Sequence, residues 1–110
     1  MDLHELAEAR SLAIHREIAE RLLRDESIVA RARATLRRWS AEGHISSHYA
    51  DAWESWLSRR PDEIAAFLAD EGEQARALRQ NSPFVGIVDP RQRWAIWRAV
   101  RDECARYQPG

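Results

Sequence analysis

Apolar positions recur at intervals of three and four over most of the chain, and the breaks between these runs fall at Gly, Pro, Ser and Asp. The first run predicts a helix from about Asp2 to Arg24, with no Gly or Pro inside it. Winding it at about 100° per residue gathers Leu3, Ala7, Ile14, Ile18, Ala19 and Leu22 on one face. His4, Ser11 and His15 fall inside that apolar face and break its pattern. A second helix is expected through "SIVARARATLRRWSAE", capped by Asp25 or Ser27 and ended at Gly43. Its stripe is Val29, Ala32, Leu36 and Trp39, with Arg31 and Arg38 opposite and Arg33 and Arg37 beside it. Ser46 or Ser47 caps a third helix carrying Tyr49, Ala52, Trp53, Trp56 and Leu57.

Pro61 suits the first turn of a fourth helix, where Asp62 and Glu63 meet the positive end of the helix dipole. Ile64, Phe67, Leu68, Ala75 and Leu78 continue this pattern toward Arg79, and Gly72 leaves open whether it is one helix or two. Residues 80–89 are the one long non-helical stretch, apolar and held between prolines. Asp89, Pro90 and Gln92 then form a capping-box start for a last helix. Ile96, Trp97, Val100, Cys104 and Tyr107 are its expected buried stripe. The pattern predicts an all-α fold, one domain over residues 1–110, as a bundle of five or six helices with an extended apolar loop at about 80–89.

Composition narrows the function classes. The chain is 45% hydrophobic and 32% charged, which is globular rather than disordered. A net charge of −1 gives no general pull toward nucleic acid or anionic membrane. Every one of the 17 basic residues is Arg. Cys104 is single, so neither an intrachain disulfide nor a cysteine metal cluster is expected. The opening "MDLHELAEAR" lacks a basic run followed by an apolar one, and nothing approaches a membrane-spanning length, so a cytoplasmic protein is expected.

Candidate chemistry is sparse. His44 and His48 have the i, i+4 spacing of helical metal ligands, with Asp51 near, but Gly43 and two serines predict a turn between them. No metal or cofactor is expected. His4, Ser11 and His15 could line a pocket with Arg93, which would suit a small ligand-binding or enzymatic domain. No nucleophile with a His/Asp arrangement is visible, and no catalytic residue is assigned. "LRRWSAEGHISSHYADAW" has the outline of a helix-turn-helix hinged at Gly43. Its second helix offers Tyr49, Asp51, Trp53, Glu54 and Trp56 where a DNA reader would place basic and amide side chains. Arg93 points into the apolar stripe of the last helix, where it must find carbonyls or a carboxylate, and Trp94 lies off that stripe. Arg93 therefore either pins the preceding loop or anchors an acidic group on a partner.

The segment "LRQNSPFVGIVDPRQRW" carries a resemblance. Leu78, Arg79, Gln80, Ser82, Pro83, Phe84, Gly86, Ile87, Val88, Pro90, Arg91, Arg93 and Trp94 are similar to the shared pattern of a family of small bacterial helical proteins. "RSLAIHREIAERL" at 10–22 resembles that family's first helix, with Ser11 and His15 in place. Members look like companions of toxin-type nucleotidyltransferases, which implies an antitoxin-like, non-enzymatic role in binding another protein. On that reading Pro83, Phe84, Val85 and Ile87 would fill a partner groove, while Arg91, Arg93 and Trp94 would anchor it. Nucleic acid would not be a ligand of the monomer, and self-association is left open. The alternatives are a DNA-binding regulator using the helices around Gly43, or a domain with the His4, Ser11, His15 and Arg93 pocket.

Overall fold

Helix starts and stops follow the expected local chemistry. The computed structural model describes residues 2–106. Asp2 caps α1 (Leu3–Arg24), accepting from the Glu5 N–H at 2.8 Å. The Asp25 carboxylate holds the next turn by accepting from the Ser27 N–H and hydroxyl, and α2 spans Ser27–Glu42. Gly43 closes α2 with φ of 73°, the left-handed conformation that a Cβ disfavours. Ser46 caps α3 (Ser47–Leu57), and Pro61 opens α4 (Pro61–Leu68).

Gly72 marks a real division, because α5 (Glu73–Arg79) is separate from α4. The Asp70 carboxylate accepts from the Gly72 N–H at 3.0 Å. A Cβ on Gly72 would lie 2.6 Å from that carboxylate oxygen, so a side chain there would make the exposed Asp70 carboxylate move and give up this bond. Residues 80–89 are non-helical except for one 3-10 turn, Val85–Ile87, and lead into α6 (Pro90–Arg106). The capping box forms with both bonds: Gln92 N–H donates to Asp89 at 2.8 Å, and Asp89 N–H to the Gln92 side chain at 3.3 Å. The described residues are thus six α-helices with no strand.

One core forms where the C-terminal half of α1 meets α2 to α5. Ile14, Ile18, Ala19 and Leu22 of α1 bury there. Trp53 is its aromatic centre, with ring centroids of Phe67 and Phe84 at 5.9 and 5.8 Å. The Trp53 indole N–H donates to the Leu78 carbonyl at 3.2 Å, so this large ring is buried without an orphaned donor. On α2 the buried positions are Ile28, Ala32 and Leu36, whereas Val29 and Trp39 are only half-buried. The i, i+4, i+8 row won over the neighbouring row that the sequence pattern also allowed.

Two expectations fail at the other end of the molecule. Leu3 is 86% exposed, and Ala7 is exposed too. The stripe of α6 is not buried: Ile96, Trp97, Val100 and Cys104 are all half-exposed, and Tyr107 lies outside the described residues. The reason is topological. α6 packs on α1 and runs back along its N-terminal half, beyond the other helices. Its apolar face therefore meets one helix where a core position meets several. The radius of gyration of 14.4 Å exceeds the roughly 13 Å of a compact chain of this length, and the long axis reaches 47 Å. No described helix is long and apolar enough to cross a membrane.

Candidate functional site

The polar interruptions of the first helix and the 80–89 segment meet each other. His15 and Ser82 are 1% and 2% exposed, and the Ser82 hydroxyl lies 2.7 Å from His15 Nε2. The other ring nitrogen, Nδ1, lies 2.7 Å from the Ser11 carbonyl, which can only accept. Nδ1 therefore carries the proton, Nε2 accepts from the Ser82 hydroxyl, and Ser82 Oγ accepts in turn from the Phe84 N–H at 3.2 Å. Burial is the main cause that lowers the His15 pKa from 6.5 to about 4; the Ser11 bond opposes this and the Arg79 charge adds to it.

A serine on a histidine has the outline of a nucleophilic pair, and the sequence pattern, with the two 67 positions apart, gave no sign of it. Its setting is that of a structural tie. Both side chains are sealed from solvent, Nδ1 meets a carbonyl rather than a carboxylate, and an imidazole with a pKa of about 4 is a weak base at neutral pH. The tie fastens the segment after α5 to the middle of α1.

The same segment is a strap across the core. Phe84 is fully buried and Pro83 and Val88 are buried with it, so Phe84 and Pro83 cannot fill a partner groove as expected; both sit inside their own bundle. Core apolar area outcompetes exposure here, because Trp53 and the helices around it leave a space that only the strap can fill. Val85 and Ile87 are half-buried, Arg91 is exposed, and Trp94 is 54% exposed. Arg93 pins the strap, donating to the Val85 and Val88 carbonyls at 3.1 and 3.3 Å.

Arg79, which pattern reasoning did not single out as buried, is 5% exposed at the end of α5. One guanidinium nitrogen donates to the Leu68 and Asp70 carbonyls at 3.2 and 2.6 Å, closing the turn between α4 and α5. Burial lowers its pKa, with Glu8 and Asp70 opposing, and the group stays charged.

The expected His4, Ser11, His15 and Arg93 pocket divides in two. Ser11, His15 and Arg93 line a groove of about 460 Å³ between α1, the strap and α6, together with Arg10, Val85 and Trp97. His4 and Ser11 line a different groove of about 450 Å³ toward α5, with Arg76, Arg79 and Gln80. In the first groove the Arg10 guanidinium sits over the Trp97 ring at 5.3 Å. Arg10 Nε and Trp97 Nε1 are both buried with no hydrogen-bond partner among the described residues.

The remaining candidates separate. His44 stands in the turn beside Glu42, at 3.2 Å, and His48 packs on the Tyr49 ring. No group of three or more metal-ligating side chains forms among the described residues. The helix pair around Gly43 exists, but α3 turns Asp51 and Glu54 outward and carries no Arg. Compared with known protein families, curated proteins and solved structures, the chain matches none.

Proposed function

We propose that this chain is a non-enzymatic, antitoxin-like module that binds another protein, and that its partner is the kind of nucleotidyltransferase-type toxin implied by the resemblance of the 78–94 segment. The observation that carries the reading is α6. This helix holds Trp94, Ile96, Trp97 and Val100, yet none of its residues is buried. Large aromatic residues half-covered on one helix are what a partner would complete.

Charge adds to this. Arg93 and Arg10 flank the apolar groove beside α6 and form no ion pair among the described residues. A partner that sets an apolar side chain between them, with an acidic residue next to it, would fill the groove and meet both cations. The contact surface is then Val85, Ile87, Arg91, Arg93 and Trp94 with the facing side of α1, while Pro83 and Phe84 hold the strap from within. Polar ties at both ends of the strap present this surface in one conformation, which lowers the ordering cost of binding.

The test is co-expression with the product of the neighbouring gene, assayed for complex formation and for rescue of growth. A complex that co-purifies, together with restored growth, supports the reading. Trp94→Ala should weaken the complex by about thirtyfold or more, as loss of a central aromatic anchor does, without lowering the melting temperature. Absence of both complex and rescue removes the proposal.

A further inference from the structure

The groove on the α5 side of α1 shares Ala7 and Ser11 with the groove beside α6 but is otherwise lined by different residues, and we infer that it is a binding site for a phosphomonoester. Its lining combines a helical row on α1 (His4, Glu8, Ser11) with Arg76 and Arg79 of α5 and with Gln80 just after that helix, around about 450 Å³. That volume takes a small organic body as well as an anion.

Arg79 is the centre of the site. A charged side chain that is 95% removed from solvent needs compensation, since a lone buried charge is strongly unfavourable. The structure supplies it only in part. Nη1 meets the two carbonyls, and no carboxylate forms an ion pair with Arg79 among the described residues. Arg79 borders the groove, and Nη1 is the guanidinium nitrogen that the two carbonyls engage. Its lowered pKa shows the cost of burial, while Glu8 and Asp70 help keep it charged.

The other donors converge from two sides. Arg76 borders the same groove, held 2.6 Å from the Glu8 carboxylate. Glu8 is the one acid among the lining residues, against Arg76 and Arg79, while Asp70 and Glu71 lie close enough to act on the Arg79 charge as well. Ser11 of α1 and Gln80, just after α5, add neutral polar residues to the lining. A carboxylate offers two oxygens in one plane and suits a single guanidinium fork. A phosphoryl group offers three acceptor oxygens on different sides, which suits donors arriving from two helices. The His4 and Ala7 side chains leave room for the ester's apolar body.

The test uses the full chain and phenyl phosphate, with inorganic phosphate and benzoate as comparison probes, followed by amide and Arg Nε–H chemical shifts. Saturable shifts at Ser11, Arg79 and Gln80 are expected with phenyl phosphate, with weaker binding of the other two probes. Arg76→Gln should weaken binding about tenfold, by loss of one charge-assisted contact. Glu8→Gln should strengthen it several-fold by removing the acid that lines the groove. Both positions belong to a partly exposed ion pair that contributes little to folding, so circular dichroism should be unchanged. No saturable shift overturns the inference, as do unchanged affinities in both variants. Equal binding of benzoate overturns the phosphoryl preference, and equal binding of inorganic phosphate overturns the ester. None of these readouts involves a protein partner, so this site and the α6 surface stand or fall separately.

Discussion

Acidification should loosen this fold through one residue, His15. In the native chain its ring is neutral, because burial holds its pKa at about 4 against an ordinary value of 6.5. The unfolded chain therefore binds a proton between those values that the folded chain refuses. Stability rises with pH wherever the unfolded state carries more protons. The contribution is complete above about pH 6.5 and is lost as pH falls toward about 4. Each pH unit between the two values is linked to about 1.4 kcal/mol, which gives about 3 kcal/mol in all. For a domain of this size that is a large share of the roughly 5–15 kcal/mol total.

The comparison that isolates this effect is His15→Gln. A glutamine amide can donate toward the Ser11 carbonyl or accept from the Ser82 hydroxyl, and it does not titrate. Urea unfolding of both proteins, followed by circular dichroism from about pH 7.5 to about pH 4.5, gives their stabilities as functions of pH. Carboxylates titrate in both and cancel in the difference. The wild type should be the more stable at neutral pH, and its advantage should shrink by about 2–3 kcal/mol across the range. Two parallel profiles would refute the reasoning, because a His15 ring open to water would titrate alike in both states.

Other residues of the strap give sharper stability effects. Phe84→Ala should cost about 3–5 kcal/mol, the range for a large aromatic removed from a closed core, and should lower the urea midpoint accordingly. Arg93→Ala should cost about 1–2 kcal/mol through the two carbonyls it leaves partnerless. Hydrogen exchange should then quicken at Ile87 and in the first turn of α6 while α2 and α3 stay protected.

Helix boundaries were legible because their causes are local. Asp2, Gly43, Pro61 and the Asp89–Gln92 box act within a turn of themselves, and each sits where the sequence puts it. Gly72 was ambiguous for a related reason: its φ is ordinary, and the group near its Cβ position is the Asp70 side chain, which can move. Burial was legible only where several elements meet. A stripe such as Ile96, Trp97 and Val100 looks the same in sequence whether one helix or four cover it. Long-range polar pairing was not legible at all. His15 and Ser11 stood out as misfits on an apolar face, but nothing near them named Ser82 as the partner. Arg79 had no local signal, since its bonds go to backbone carbonyls on the far side of a turn.

The strap sorts the residues of the 78–94 segment by direction, and that sorting separates folding from function. Ser82, Pro83, Phe84 and Val88 point inward, and Arg93 holds the backbone above them. Their chemistry is accounted for by a sealed core, a buried tie and two carbonyls. Arg91 and Trp94 do none of this work and face solvent. Gly86 joins them, because its φ is not positive and a Cβ there would meet open space. The fold therefore asks for glycine at Gly43, where φ is positive, but not at Gly86. Substitutions at the inward positions should be felt first in stability. Those at Gly86, Arg91 and Trp94 should leave stability nearly unchanged, and if the proposed partner surface is right they should be felt first in binding.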